Sequence, residues 1–193
     1  TVAVTTAFGT LNGFLIARCK IPPFVATMGT QYLAQGIGYI VSRVQTMRYP
    51  VITSPDGWFK RVLYKSLDGF PMGVIYMVIL FAIASFLFRY TKIGKYACAI
   101  GSNCEATRLS GVDTCHWTML VYIIAGVFAG LAGIFYSATY TSVLPGSGGG
   151  MEMNAIAAVV IGGTSLSGGS GTMLGTIIGV FIMAVLKNGL MTI

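Results

Sequence analysis

The chain has 193 residues, 55% of them hydrophobic and only 9% charged, with a formal net charge of +7 and a mean hydropathy of +0.80. This composition excludes a water-soluble globular domain, a secreted disulfide scaffold and a disordered tail. Residues 1–17, 21–42, 69–88, 117–151 and 153–186 contain no Asp, Glu, Lys or Arg, and at about 1.5 Å per residue several of these runs are long enough to cross a hydrocarbon core about 30 Å thick.

The first run, Thr1 to Ala17, reads as part of a helix cut from a longer protein, with Gly9 and Gly13 four apart and the basic pair Arg18 and Lys20 at its end. Ile21 to Val41 follows as a second helix. Pro22 and Pro23 fit its first turn, where the missing N–H groups have no intrahelical partner to lose. Residues 42–68 form a long extramembrane connection carrying Pro50, Pro55, Asp56, Gly57 and the interface-seeking pair Trp58 and Phe59, with room for a short interfacial helix. Gly69 to Phe88 is the third span.

Residues 89–116 make a second polar connection. Its start, Arg89 to Tyr96, mixes basic and aromatic residues, and its position beside a span favours lipid headgroups or a protein partner over nucleic acid. Asn103 to Val112 reads as a short amphipathic helix: Asn103 caps it, Glu105 lies in the positive first turn, and Gly111 stops it. Trp117 to Tyr140 is the fourth span. The last charge-free run is broken by Gly162, Gly163, Gly168, Gly169 and Gly171, so it divides into a short apolar piece, Ala155 to Ile161, and a full helix, Thr172 to Leu190. The short piece is compatible with either a crossing or a re-entrant segment. The expected fold is therefore all-α, a polytopic membrane bundle of about five to six segments.

Small residues recur at helical spacing in Gly126 and Gly130, in Ala129 and Gly133, and in Gly171, Gly175 and Gly179. In lipid, where apolar surface gains little by leaving its surroundings, such positions let backbones approach closely. Gly126, Gly130, Gly163, Gly169, Gly175 and Gly179 are accordingly candidates for helix packing or a hinge. The glycine-rich run from Gly162 to Thr172 is not a Walker A phosphate loop, because Gly169 stands where the lysine is required.

The chemistry on offer is sparse. One histidine, His116, and five carboxylates, Asp56, Asp68, Glu105, Asp113 and Glu152, all lie outside the charge-free runs, which argues against an intramembrane enzyme and against proton or ion coupling. The cysteines, Cys19, Cys98, Cys104 and Cys115, form no Cys-x-x-Cys pair and read as reduced small apolar residues. Lys and Arg divide six to five between alternate connections, too evenly to assign a cytoplasmic side.

Four segments in order, Ile21 to Thr30, Ile93 to Gly101, Glu105 to Val112 and Ala155 to Gly169, closely resemble the ribose-type permeases of bacterial ABC sugar importers. The resemblance implies a permease subunit, incomplete at both ends, that pairs with a second permease copy or paralogue in the bacterial inner membrane. It implies a periplasmic sugar-binding protein that delivers substrate and a cytoplasmic ABC ATPase that binds ATP and Mg. No cofactor, metal or nucleic acid is expected for the permease itself. Residues 42–68 become periplasmic and residues 89–116 a cytoplasmic coupling loop, with Asn103, Glu105, Ala106, Arg108, Leu109, Ser110 and Gly111 as the ATPase-coupling residues. The Ile-x-Leu-Pro portion of the wider docking signature is absent, and Asn154 stands where many members carry Asp. A neutral monosaccharide needs hydroxyls and amides rather than charge, so Thr27, Thr30, Gln31, Gln35 and Asn154 are the candidate pathway residues, with Tyr32, Tyr122 and Tyr136 beside them. The rival expectation is a secondary transporter or channel independent of an ATPase.

Overall fold

A computed structural model describes residues 1–48, 66–67, 70–140 and 142–191. The Trp58 and Phe59 pair, and with it most of the 42–68 connection and the interfacial helix expected there, lies outside the described residues. Eight helices follow in chain order among the described residues: α1 Val2–Ala17, α2 Pro23–Ser42, α3 Met72–Tyr90, α4 Lys92–Ser102, α5 Cys104–Leu109, α6 Thr114–Thr139, α7 Met151–Ile161 and α8 Met173–Met191. Four two-residue strands complete the description: β1 Met47–Arg48 pairs antiparallel with β4 Ser142–Val143, and β2 Ser66–Leu67 with β3 Phe70–Pro71.

Among the described residues, three helices are long and apolar enough to cross a membrane: α3, α6 and α8 over Met173–Leu190. Helix α2 has 20 residues and no charge, but its glutamines, threonines and glycines dilute its hydropathy. Helices α1 and α7 are apolar and shorter. Pro22 stands at the N-cap of α2 with φ −52 and ψ 131, and Pro23 opens the helix. That geometry follows from the proline ring, which fixes φ and prevents residue 22 from joining the helix.

The chain divides into two compact units. The first comprises residues 1–86 and 115–147, the second residues 87–114 and 148–193. In the first, α1 and α6 meet through small residues: a β-carbon placed on Gly9 would lie 2.6 Å from the Tyr122 carbonyl oxygen, and one on Gly126 2.6 Å from that of Thr5. Gly130 meets Thr5 and Val2 in the same way. In the second, α7 and α8 form the closest helix pair. Gly162 faces the Gly175 carbonyl, and Gly179 faces that of Ala158, with no room for a side chain at either glycine.

Burial follows the same rule. Among the described residues, those buried other than glycine are all small, namely Ala26, Ala138, Ala158, Thr30, Ser42 and Thr107, while Ile40, Leu174, Val185 and Leu190 are each at least 70% exposed. A water-soluble chain would reverse this pattern.

Two segments differ from the sequence reading. Residues 89–116, which connect α3 to α6, carry the eleven-residue α4 in addition to α5. The short piece expected at Ala155–Ile161 begins four residues earlier, at Met151. There Gly150, at φ +85, turns the chain into the helix, and the Glu152 carboxylate accepts the Gly150 N–H at 3.2 Å. The acid that marked the edge of a charge-free run instead belongs to the first turn, where the helix dipole favours it.

Candidate functional site

Two places gather the residues that the sequence singled out. The first is α5. Asn103 is extended, at φ −156 and ψ 101, and its side-chain oxygen accepts the Ala106 N–H at 3.0 Å. It therefore satisfies one of the donors that a helix start leaves open. The Thr107 hydroxyl donates to the Asn103 carbonyl at 2.8 Å, and that of Ser110 to the Ala106 carbonyl at 2.9 Å.

At the other end, Gly111 N–H donates to the Arg108 carbonyl at 3.0 Å and Val112 N–H to that of Thr107 at 3.4 Å. This is a Schellman closure, with Gly111 in its left-handed position at φ +82. Six residues would not hold a helix by propensity alone. Here both ends are closed and Thr107 anchors the buried face.

The outward face carries Glu105, Arg108 and Leu109. Arg108 Nη2 meets Glu105 Oε2 at 3.0 Å with both side chains mostly in solvent, a pairing worth at most about 1 kcal/mol. Leu109 is 84% exposed. A large apolar side chain ringed by an acid and a base, on a pre-formed helix, is suited to a protein contact rather than to catalysis. No group of three or more metal-ligating side chains occurs among the described residues.

The second place is a groove of about 360 Å³ in the first unit, enclosed by α1, α2 and α6. It brings together Thr27, Thr30, Gln31 and Tyr122 of the expected pathway residues and adds Thr5 and Asn12. Its threonine hydroxyls are turned into the protein. Thr27 donates to the Pro23 carbonyl at 2.9 Å, Thr5 to that of Val2 at 2.9 Å, and Thr30 to Asn12 Oδ1 at 2.8 Å. Gln31, Tyr122 and Asn12 also line the groove, whose exposed surface is almost entirely apolar. Sequence reasoning passed over Asn12, although a lone carboxamide inside an otherwise apolar helix is the signal that could have found it.

Four other expected residues, Gln35, Tyr136, Asn154 and Tyr32, stand elsewhere. Gln35 and Tyr39 of α2 lie against the turn at Gly146, at φ +94, with the Gln35 amide nitrogen 2.8 Å from where a β-carbon would be. Tyr136 donates from its hydroxyl to the Ser147 carbonyl at 3.3 Å, which ties the same turn to α6. Gln35 therefore closes the end of the first unit and does not line the groove. Asn154 belongs to the second unit, exposed in the early turns of α7, and is not among the groove residues. Tyr32 is 68% exposed and also lies outside the groove.

The glycine-rich run forms a closed turn. Gly163 N–H donates to the Val160 carbonyl at 2.9 Å, Thr164 N–H to that of Val159 at 3.2 Å, and Ser165 N–H to that of Ser170 at 3.0 Å. Thr172 Oγ1 accepts the Gly175 N–H at 3.1 Å and caps α8. These N–H groups are directed at the chain's own oxygens and not outward, where a phosphate would need them. Gly163 is a glycine for its φ of +86, since nothing lies within 4 Å of where a β-carbon would be. It is a turn residue and not a packing contact, unlike Gly126, Gly130, Gly175 and Gly179.

Small residues inside each unit and large apolar ones outside are the pattern of helices packed in lipid. The chain belongs to the family described as branched-chain amino acid transport system / permease component, whose sequence pattern matches residues 1–193. The ribose import permease protein of Escherichia coli is 37% identical over 191 residues, covering 98% of this chain and 59% of that protein. That of Bacillus subtilis is 37% identical over 180 residues, covering 93% of this chain and 55% of that protein. The D-allose transport system permease protein of Escherichia coli is 34% identical over 189 residues, covering 98% and 56%. The chain thus spans little more than half the length of these relatives. No solved structure matches it.

Proposed function

We propose that the chain is the substrate-translocating part of a permease subunit in an ATP-driven importer of a neutral monosaccharide, located in the bacterial inner membrane. The observation that carries the ATP-driven reading is α5. It is closed at both ends, presents Leu109, Arg108 and Glu105 outward, and is followed directly by the long span α6. A pre-formed helix of this kind is what a cytoplasmic ATPase can push against. ATP and magnesium belong to that partner, and the permease performs no covalent step of its own.

The similarity to ribose and allose permeases supports a sugar. The lack of Asp, Glu, Lys and Arg in α1, α2 and all of α6 agrees with a neutral substrate, because an amino acid's two charges would need partners within the membrane. On this reading, a periplasmic binding protein delivers the sugar, a second permease copy or paralogue completes the pathway, and residues 42–68 face the periplasm while residues 89–116 face the cytoplasm. Gln31, Tyr122 and Asn12 are the groove residues whose amide and hydroxyl groups a polyol would have to reach.

Reconstitution into proteoliposomes with the ATPase and binding protein tests the proposal. ATP-dependent accumulation of D-ribose, D-allose or D-galactose, without accumulation of L-leucine, is the expected result. Accumulation of leucine in place of sugar would refute the substrate class, and sugar uptake without ATP would show a secondary transporter or channel.

A further inference from the structure

In the second unit the glycine turn between α7 and α8 rests directly on the corner between α4 and α5. A β-carbon on Gly101 would lie 2.6 Å from the Gly169 nitrogen, and one on Gly168, at φ +88, 2.9 Å from the Gly101 Cα. One on Gly169, at φ +83, would lie 2.9 Å from the Ser102 Cα. The contact is backbone on backbone, made by residues 101–102 and 168–169, and the next residue, Asn103, is the cap of α5.

Neither side of this contact has much freedom to yield. The turn is braced by the Ser165 to Ser170 and Gly168 to Ser165 hydrogen bonds, at 3.0 and 3.1 Å. It is closed onto α7 by the paired bonds of Gly163 and Thr164, and onto α8 by the Thr172 cap. The two helices beyond it touch through Gly162, Gly175 and Gly179 without intervening side chains. On the other side, α4 runs without interruption into the corner, and Asn103 N–H donates to the Ala99 carbonyl at 3.0 Å. Side chains absorb displacement by changing rotamer, whereas packed backbone passes it on.

We infer that the contact of Gly101 and Ser102 with Gly168 and Gly169 is the joint through which a displacement of α5 reaches the α7–α8 hairpin as a rigid-body motion. The inference rests on the ATP-driven reading and adds the residues that transmit the stroke, as distinct from those that receive it. Gly101 is a positioning residue here, acting through its contact with Gly168 and Gly169.

The decisive variant is Gly101→Ala. Gly101 lies within α4, where alanine is the better helix former, so a defect arises from the contact and not from the local backbone. Gly73→Ala in α3, where nothing lies within 4 Å, is the control. In proteoliposomes with the ATPase and binding protein, Gly101→Ala should still copurify with the ATPase and hydrolyse ATP, while D-ribose, D-allose or D-galactose imported per ATP falls about tenfold or more. Gly73→Ala should match the wild type. Unchanged coupling in Gly101→Ala overturns the joint.

Should Gly101→Ala fail to assemble, spin labels at the exposed positions Lys95 and Leu166, in a background with all four cysteines replaced by serine, give an independent answer. An interlabel distance unchanged between nucleotide-free and ATP-bound complexes supports a rigid joint, and a shift of several ångströms refutes it. The wild-type arm isolates the underlying reading, because ATP-independent sugar uptake there refutes the coupling function and the joint with it.

Discussion

At the scale of single residues, Asn103 and Gly111 define α5 for different physical reasons. Asn103 supplies an acceptor, so Asn103→Ala should loosen the helix by about 1 kcal/mol while Asn103→Asp keeps the cap. Amide exchange at residues 104–109 checks this, with faster exchange expected in the alanine variant alone. Gly111 supplies a left-handed backbone position with open space around it, so the cost of replacing it is conformational, about 1–2 kcal/mol for a β-branched residue. ATP-driven uptake should therefore decline in the order Gly111→Asn, Gly111→Ala, Gly111→Val, because asparagine tolerates that conformation best. Uptake ranked by side-chain volume instead would mean that the position is crowded by the partner.

Asn12 and Thr30 form a side-chain hydrogen bond between α1 and α2. Such bonds in lipid average about 0.6 kcal/mol, and up to about 1.7. Thr30 also donates toward the Thr27 carbonyl at 3.0 Å, so its hydroxyl keeps a partner when Asn12 is lost. Asn12→Ala should consequently cost little stability, while removing an amide from the groove and weakening sugar uptake. A large loss of stability in detergent titration, with uptake per folded molecule unchanged, would assign Asn12 to the scaffold alone.

At the scale of elements, the helix ends were the most legible features. Asn103, Gly111 and the glycines after Ile161 announce their termini because each supplies a group or a φ value that other residues supply poorly. Helix α4 was missed because Lys92 and Lys95 gave its start the texture of a basic loop. The signal was nevertheless there: Ile93, Tyr96, Ala97 and Ile100 recur at spacings of three, one and three, one face of a helix. Gly94 within it sits against the Phe88 carbonyl with no room for a β-carbon, so the tight bend from α3 into α4 depends on that glycine.

The α7–α8 pair makes the sharpest statement about packing. Gly179→Leu would drive a side chain into the Ala158 backbone and should abolish folding of the permease, whereas Gly29→Leu on α2, with nothing within 4 Å, should be tolerated. Yield of monodisperse protein after detergent extraction distinguishes the two. Equal yields would mean that the helices separate more readily than their contact suggests.

At the scale of the whole molecule, burial is inverted relative to a soluble protein. Glycine, alanine, serine and threonine form the interior because, with lipid outside, close packing and backbone approach decide which helices associate. This leads to a topological expectation. Cys104 in α5 is exposed and should react with a membrane-impermeant thiol reagent only from the cytoplasmic side, while a cysteine introduced at Gln45 should react only from the periplasmic side. Labelling of both from one side would contradict the proposed placement of residues 42–68 and 89–116.

The sequence by itself determined the solvent, the helical class, the approximate spans, the capped loop helix and the near absence of charge within the spans. Those properties depend on hydropathy, length and local hydrogen-bonding groups, which are written residue by residue. Only the tertiary structure decided which polar residues meet. It placed Asn12 with Thr30, put Gln35 under the Gly146 turn instead of in the groove, and set Gly168 and Gly169 on the corner before Asn103. These are contacts between residues 18, 111 and 67 positions apart, and spacing along the chain carries no information about them because they depend on how helix backbones cross. Glycine records that a close approach is possible, and the partner backbone determines what it approaches.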